Sequence, residues 1–197
     1  MGMVLSASAA LYSYTGPAYA IPDDNPNGVT STINVSTPQY NITDVTVTLD
    51  VTGGRNGDLY AYLSYNGTLV TLLNRVGTGS GGAIQQAFGF STAGFNNVML
   101  ADGSANNIHN VASPISLPTT YTPDTGSLAS FDGANPNGTW TLFFADLSGG
   151  GGTSTLQGWS LNITAVPEPV NVALVFFGGL LGIWSVLRPR RSTTIQT

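Results

Sequence analysis

The sequence predicts an all-β protein: an antiparallel β-sandwich of the jelly-roll or immunoglobulin kind, followed by a single C-terminal transmembrane helix. Three observations lead there. Short runs with an apolar residue at every second position recur between Ile21 and Thr164, with Gly, Asn and Pro between them. No capped run of helical period interrupts them. Behind them lies one apolar stretch, Val170 to Leu187, in which only Asn171 and Ser185 are polar.

The N-terminal stretch MVLSASAALYSYTGPAYA is small and apolar and closes on Ala18-Tyr19-Ala20. This small-x-small pattern is the kind that signal peptidases cut after, so residues 1–20 read as an export signal cleaved after Ala20. No Lys or Arg precedes the apolar part. Residues 21–164 form the β module. In ITDVTVTLDV, Val45, Val47, Leu49 and Val51 face one way and Asp44, Thr46, Thr48 and Asp50 the other, as in a half-buried strand. LYAYLSY and TLVTLL flank Asn66-Gly67, the strongest short hairpin signal. In TWTLFFAD, Trp140, Leu142 and Phe144 share a face, and in LQGWSLNIT so do Trp159, Leu161 and Ile163. The glycines at 149–152 connect these last two strands, and the prolines after Thr164 mark the end of the module.

Residues 165–197 read as a membrane-directed tail. As a helix, residues 170–187 would span about 27 Å, just enough for a ~30 Å hydrocarbon core. Arg188, Arg190 and Arg191 would stop transfer and mark the cytoplasmic side. The order Val166-Pro167-Glu168-Pro169, apolar helix and arginine cluster resembles the PEP-CTERM sorting signal of exported bacterial proteins. That resemblance implies recognition of Pro167, Glu168 and Pro169 by an exosortase, a membrane-embedded cysteine protease of transpeptidase type, with the helix as a temporary membrane anchor. The plainer alternative is a Pro-rich linker before a permanent anchor.

Composition narrows the function. Of 197 residues, 8% are charged, lysine and cysteine are absent and the net charge is −5. Between Ile21 and Thr164, nine aspartates stand against Arg55 and Arg75. Such a surface repels phosphate backbones, so no nucleic-acid partner is expected. Disulfides, thiol nucleophiles and Cys-ligated zinc are excluded. His109, the one histidine, lies in the polar string NNIHNVAS with no nucleophile motif beside it, and reads as a solvated loop residue. The one glutamate, Glu168, belongs to the tail, and nothing in the sequence pairs the loop residues Asp58, Asp102, Asp124, Asp132 and Asp146.

Three strings in order, DVTGGRNGDLYAYLSYNGTLVTLL, SLASFDGANPNGTWTLFFAD and TLQGWSLNIT, resemble the P domain. This is the jelly-roll sandwich found behind the catalytic domain of subtilisin-like proprotein convertases and in many secreted bacterial proteins. The matching positions are Gly57, Asp58 and Leu59; Asn66 and Gly67; Asn137 to Leu142; and Trp159, Ser160 and Leu161. The segment from Arg75 to Pro118 lacks the acidic cluster many P domains carry there, and no protease domain precedes the module within these residues.

No motif demands a cofactor. Calcium is the ion that loop aspartates suit, and Asp58, in the Gly-Asp-Leu turn, is the candidate ligand, although ordinary turn chemistry also accounts for such pairs. The expectation is an exported, non-enzymatic surface or matrix module, structural or adhesive in an exopolysaccharide or biofilm setting. The alternative is a free-standing P domain that stabilises a separate secreted protease.

Overall fold

Strands of alternating pattern must bury one face each, and here they do so in two stacked sheets. The structure, a computed structural model, describes residues 8–79, 87–111 and 120–167. In chain order the strands are β1 (Ala10–Gly16), β2 (Tyr19–Ile21), β3 (Asn25–Val35), β4 (Asn41–Gly53), β5 (Leu59–Tyr65), β6 (Thr68–Asn74), β7 (Phe95–Leu100), β8 (Thr120–Tyr121), β9 (Gly138–Asp146) and β10 (Ser154–Val166). The larger sheet runs β1-β10-β4-β7-β8, with β2 also on β10, and the smaller runs β3-β9-β5-β6. Apart from the parallel β7–β8 pair, the pairings are antiparallel. Helix is confined, among the described residues, to three short 3₁₀ turns.

The alternation in β4 works as its residues dictate. Val45, Val47, Leu49 and Val51 are almost fully buried, while Asp44, Thr46, Thr48 and Asp50 lie on the solvent side. Each such aliphatic side chain contributes about 1.5–3 kcal/mol of burial. Opposite, Leu142, Phe144 and Trp140 of β9 and Leu59, Ala61 and Leu63 of β5 close the core. Trp159 on β10 crosses the sandwich, its Nε1 donating to Ser31 Oγ of β3 at 2.8 Å. The β5–β6 hairpin turns on Asn66 (φ 48°) and Gly67 (φ 81°), the two left-handed positions of a type I′ turn.

Both boundaries of the sandwich differ from the sequence reading. Residues 10–20 are not set apart from it: β1 pairs with β10 from Ala10↔Ala165 to Gly16↔Trp159, and Tyr19-Ala20-Ile21 pair with Leu156-Thr155-Ser154. The physical reason is a second alternation, in which Tyr12 and Tyr14 turn inward while Leu11, Ser13 and Thr15 face solvent. Tyr14 packs on the core and its Oη donates to Ser36 O at 3.1 Å. A side chain on Gly16 would overlap the Trp159 indole. Ala18 and Ala20 are exposed, and a cut after Ala20 would lift β1 and most of β2 from the β10 edge.

At the other boundary β10 continues past Thr164, because Ala165 and Val166 still pair with Ile42 and Asn41. Pro167, which has no N–H to give a ladder, follows. Glu168, Pro169, the apolar run 170–187 and Arg188, Arg190 and Arg191 lie outside the described residues. Among the described residues no helix is long and apolar enough to cross a membrane.

Candidate functional site

Asp58 ends the 3₁₀ turn Asn56–Asp58 immediately before β5, and Asp146 ends β9. Because Leu59 and Asp146 are cross-strand partners, the register brings both carboxylates to one end of the smaller sheet. They are 3% and 0% exposed. The backbone ties the turn down: Asp58 O accepts from Leu147 N at 2.9 Å, and Asp146 Oδ1 accepts from Ser148 N at 3.2 Å. The second oxygen of each, Asp58 Oδ2 and Asp146 Oδ2, is buried with no hydrogen-bond partner, and so is Asn56 Oδ1 beside them in the chain.

The connection from β9 to β10 covers this end. A Cβ on Gly151 would overlap Asp58 Oδ2, so a larger residue there would push the carboxylate or the loop aside, and Gly149 sits against Asp24. Burial pushes the Asp58 carboxyl above the usual carboxylate range, against the pull of the Arg55 and Arg75 charges and a Ser148 hydrogen bond; the Asp23 charge adds to the rise. Burial also raises Asp146, the Ser148 N–H opposes, and the charges of Asp58, Asp23 and Asp24 raise it further. Arg75 spends its Nε on Gly57 O at 3.3 Å. Neither arginine forms an ion pair with these carboxylates; the one ion pair among the described residues is elsewhere. No group of three or more His, Cys, Asp or Glu side chains is placed to hold a metal among the described residues.

The opposite end of the same strands is built from rings. Tyr65, last in β5, stacks on Trp140 of β9 with centroids 4.2 Å apart and planes 2° from parallel. Trp140 Nε1 donates to Pro136 O at 3.0 Å, and Tyr65 Oη bonds to Asn135 O and Asn137 O. Phe131 packs on the indole at 4.9 Å. The turn DGANPNG is thus fastened by two aromatic side chains.

On the solvent face of this sheet lies a third feature. Tyr62 stacks on its cross-strand neighbour Phe143 at 4.8 Å and 14°, and Tyr60 meets both rings edge-on. All three are half-buried. Thr30, Thr71 and Thr141 surround them, with Leu69 (53% exposed) on β6. The outer face of the larger sheet instead holds two shallow depressions of about 150 and 320 Å³, in which Asp50 is the one titratable side chain.

Two other loop aspartates, Asp102 and Asp124, have structural work. Asp102 caps the 3₁₀ turn Leu128–Phe131, accepting from Ser127 Oγ at 2.6 Å, Ala129 N at 2.7 Å and Leu128 N at 3.1 Å. Asp132 is exposed and raised by partial burial and by the charges of Asp44 and Asp102. Asp124 corrects the reading of His109 as a solvated residue: Nδ1 lies 2.6 Å from Asp124 Oδ2, and Nε2 lies 2.9 Å from Thr78 O. Burial alone would disfavour the charged ring, but the Thr78 carbonyl and the Asp124 carboxylate outweigh it and hold its pKa above the ordinary value. Sequence had no means of finding this clasp, since its members are 15 and 31 residues apart.

A family model for the proprotein convertase P-domain matches residues 42–163. No curated protein matches the chain. Among solved structures, the serine protease of Aeromonas sobria in complex with its chaperone is similar at TM-score 0.50 and 18% identity, over 81% of this chain and 28% of that one. The serine protease of Aeromonas sobria solved by itself is similar at TM-score 0.47 and 18% identity, over 79% and 27%. The chain therefore spans little more than a quarter of the length of these proteases. At 18% identity the likeness to the chaperone-bound protease concerns the fold alone. With the family match running from Ile42 to Ile163 of 197 residues, the chain belongs to the proprotein convertase P-domain family.

Proposed function

We propose that this chain is an exported, non-catalytic P-domain module that works by binding at the cell surface or in the extracellular matrix. The observation that carries the reading is the uncharged aromatic platform of Tyr60, Tyr62 and Phe143 on the outer face of the smaller sheet. Flat rings edged by threonine hydroxyls suit the C–H faces and hydroxyls of a polysaccharide. The acidic, lysine-free composition keeps phosphate polymers away from the same surface.

The one histidine is held on both ring nitrogens, by Asp124 and by the Thr78 carbonyl, which supports a non-catalytic reading. In this reading residues 1–20 direct export, and a cut after Ala20 would leave a sandwich without β1 and most of β2. Residues 165–197 direct release, with an exosortase acting at Val166–Pro169 and the C-terminal helix as the membrane anchor beforehand. That the last strand residue is Val166 supports it, because the motif then starts where the ladder ends. The test is retention on the native exopolysaccharide by affinity electrophoresis. Tyr62→Ala should reduce retention by about two- to tenfold with the fold intact, the loss of one stacked ring. Equal retention of both proteins would remove the platform from the proposal.

The family match favours a second reading, a P domain that docks on a separate secreted subtilisin-like serine protease and stabilises it. Mixing with such a protease should then raise its Tm, and an unchanged Tm would eliminate this reading.

A further inference from the structure

We propose that Asp58 and Asp146, closed over by the Gly149–Gly152 connection, form a calcium site that fastens the β9–β10 loop to the start of β5. The sandwich would bind this ion whatever its surface recognises.

The argument begins with two oxygens. A buried carboxylate oxygen without a partner loses its hydration and receives nothing in return, so such atoms are rare unless something else satisfies them. Here there are two, Asp58 Oδ2 and Asp146 Oδ2, on residues 3% and 0% exposed, at the same end of neighbouring strands. Asn56 Oδ1, a third oxygen donor, is orphaned in the same turn.

The surroundings point to a cation rather than to a missing side-chain donor. Arg55 and Arg75, the two cations of the described residues, make no ion pair with either carboxylate. Asp23 and Asp24 add negative charge at the same place, and the chain covering it is a run of glycines, whose carbonyls are unobstructed by side chains. Calcium takes six to eight oxygens in adaptable geometry, and backbone and amide carbonyls commonly complete a set that starts from two carboxylates. This is why two acids suffice where no three-acid cluster exists among the described residues. Magnesium fits poorly, since it demands an octahedron of short bonds and keeps several waters, which a covered site cannot hold.

The test uses the full chain, held in mild detergent and stripped with EDTA. Adding about 1 mM calcium should raise the Tm by roughly 5 °C or more, the linkage expected for an ion at about a hundred times its Kd. Magnesium at the same concentration should raise it far less. Equilibrium dialysis with labelled calcium should find one ion per chain, and Asp146→Asn and Asp58→Asn should lose both the ion and the shift. No bound calcium and no change in Tm for the wild type overturn the proposal, leaving a buried pair held neutral by protonation. A full calcium response in folded variants would overturn it as well, by moving the ion elsewhere. Should either variant fail to fold, the dialysis and the calcium–magnesium comparison on the wild type still decide.

Discussion

The two ends of the four-stranded sheet solve one problem in opposite ways. At the end where β5 stops and β9 starts, the turn is closed from within: Trp140 and Tyr65 stack, and their polar atoms reach the carbonyls of Asn135, Pro136 and Asn137. At the end where β5 starts and β9 stops, the turn is closed around Asp58 and Asp146, whose outer oxygens find nothing in the chain. The first end is complete as folded, and the second is complete only with something added. A sandwich whose ends differ this way can be stable alone and still respond to its medium.

The comparison breaks most visibly at the ring end. Trp140→Ala should lower stability by about 3–5 kcal/mol in urea denaturation, with or without calcium, because it empties a fully buried site against which Tyr65 and Phe131 pack. Retention of near wild-type stability would show that the stack is not the fastening.

The carboxylate end should give the opposite sign. Both carboxyls titrate above the usual range, so in chelator their neutral forms favour the fold. That stability is full below about pH 4, the unfolded value, and is lost as pH rises through the raised values. Asp146→Asn should therefore be more stable than wild type in EDTA at pH 7, by about 1–3 kcal/mol, and the advantage should shrink toward pH 4. Calcium should reverse the order, the wild type then being the more stable. An Asn variant less stable in EDTA would mean that the Asp146 charge is already satisfied.

A third, smaller effect belongs to His109, which closes the connections beside β6. Its raised pKa means that stability is full below about pH 6.5 and is lost as pH climbs through the folded value. Thermal unfolding should show a decline of about 1–2 kcal/mol between pH 6 and pH 9. Asp124→Asn should flatten it. The smallest change, Tyr65→Phe, keeps the ring stack and removes the hydroxyl, costing about 1 kcal/mol in the same assay. A cost near that of Trp140→Ala would shift the weight of that end from packing to hydrogen bonding.

Much of this was legible in residue order. The faces of β4, β9 and β10, and the Asn66-Gly67 turn, are set by alternation and by the one dipeptide that tolerates two left-handed residues. The Asn-Gly-Thr-Trp string marks the start of β9 by turn chemistry and alternation alone. Asp58 stands out by its place in the Gly-Asp-Leu turn, whereas Asp146 reads only as one of five loop aspartates that nothing in the sequence pairs. β3 was harder to see, because in NPNGVTSTINV only Ser31, Ile33 and Val35 point fully inward. Its polar inward residue makes sense only with Trp159 opposite, 128 positions away.

The N-terminal strand shows the limit from the other side. Its small apolar residues satisfy a leader pattern and a β-edge pattern alike, and local order has no means to choose between them. Periodicity and turn chemistry are local, so the sequence by itself determined the all-β class, the inward faces, the hairpin and the family. Which strand lies beside which is decided over distances of a hundred residues, by packing that no window of sequence contains. Only the tertiary structure, therefore, joined β1 to β10, clasped His109 to Asp124, and buried Asp58 Oδ2 and Asp146 Oδ2 without a partner at one end of the sheet.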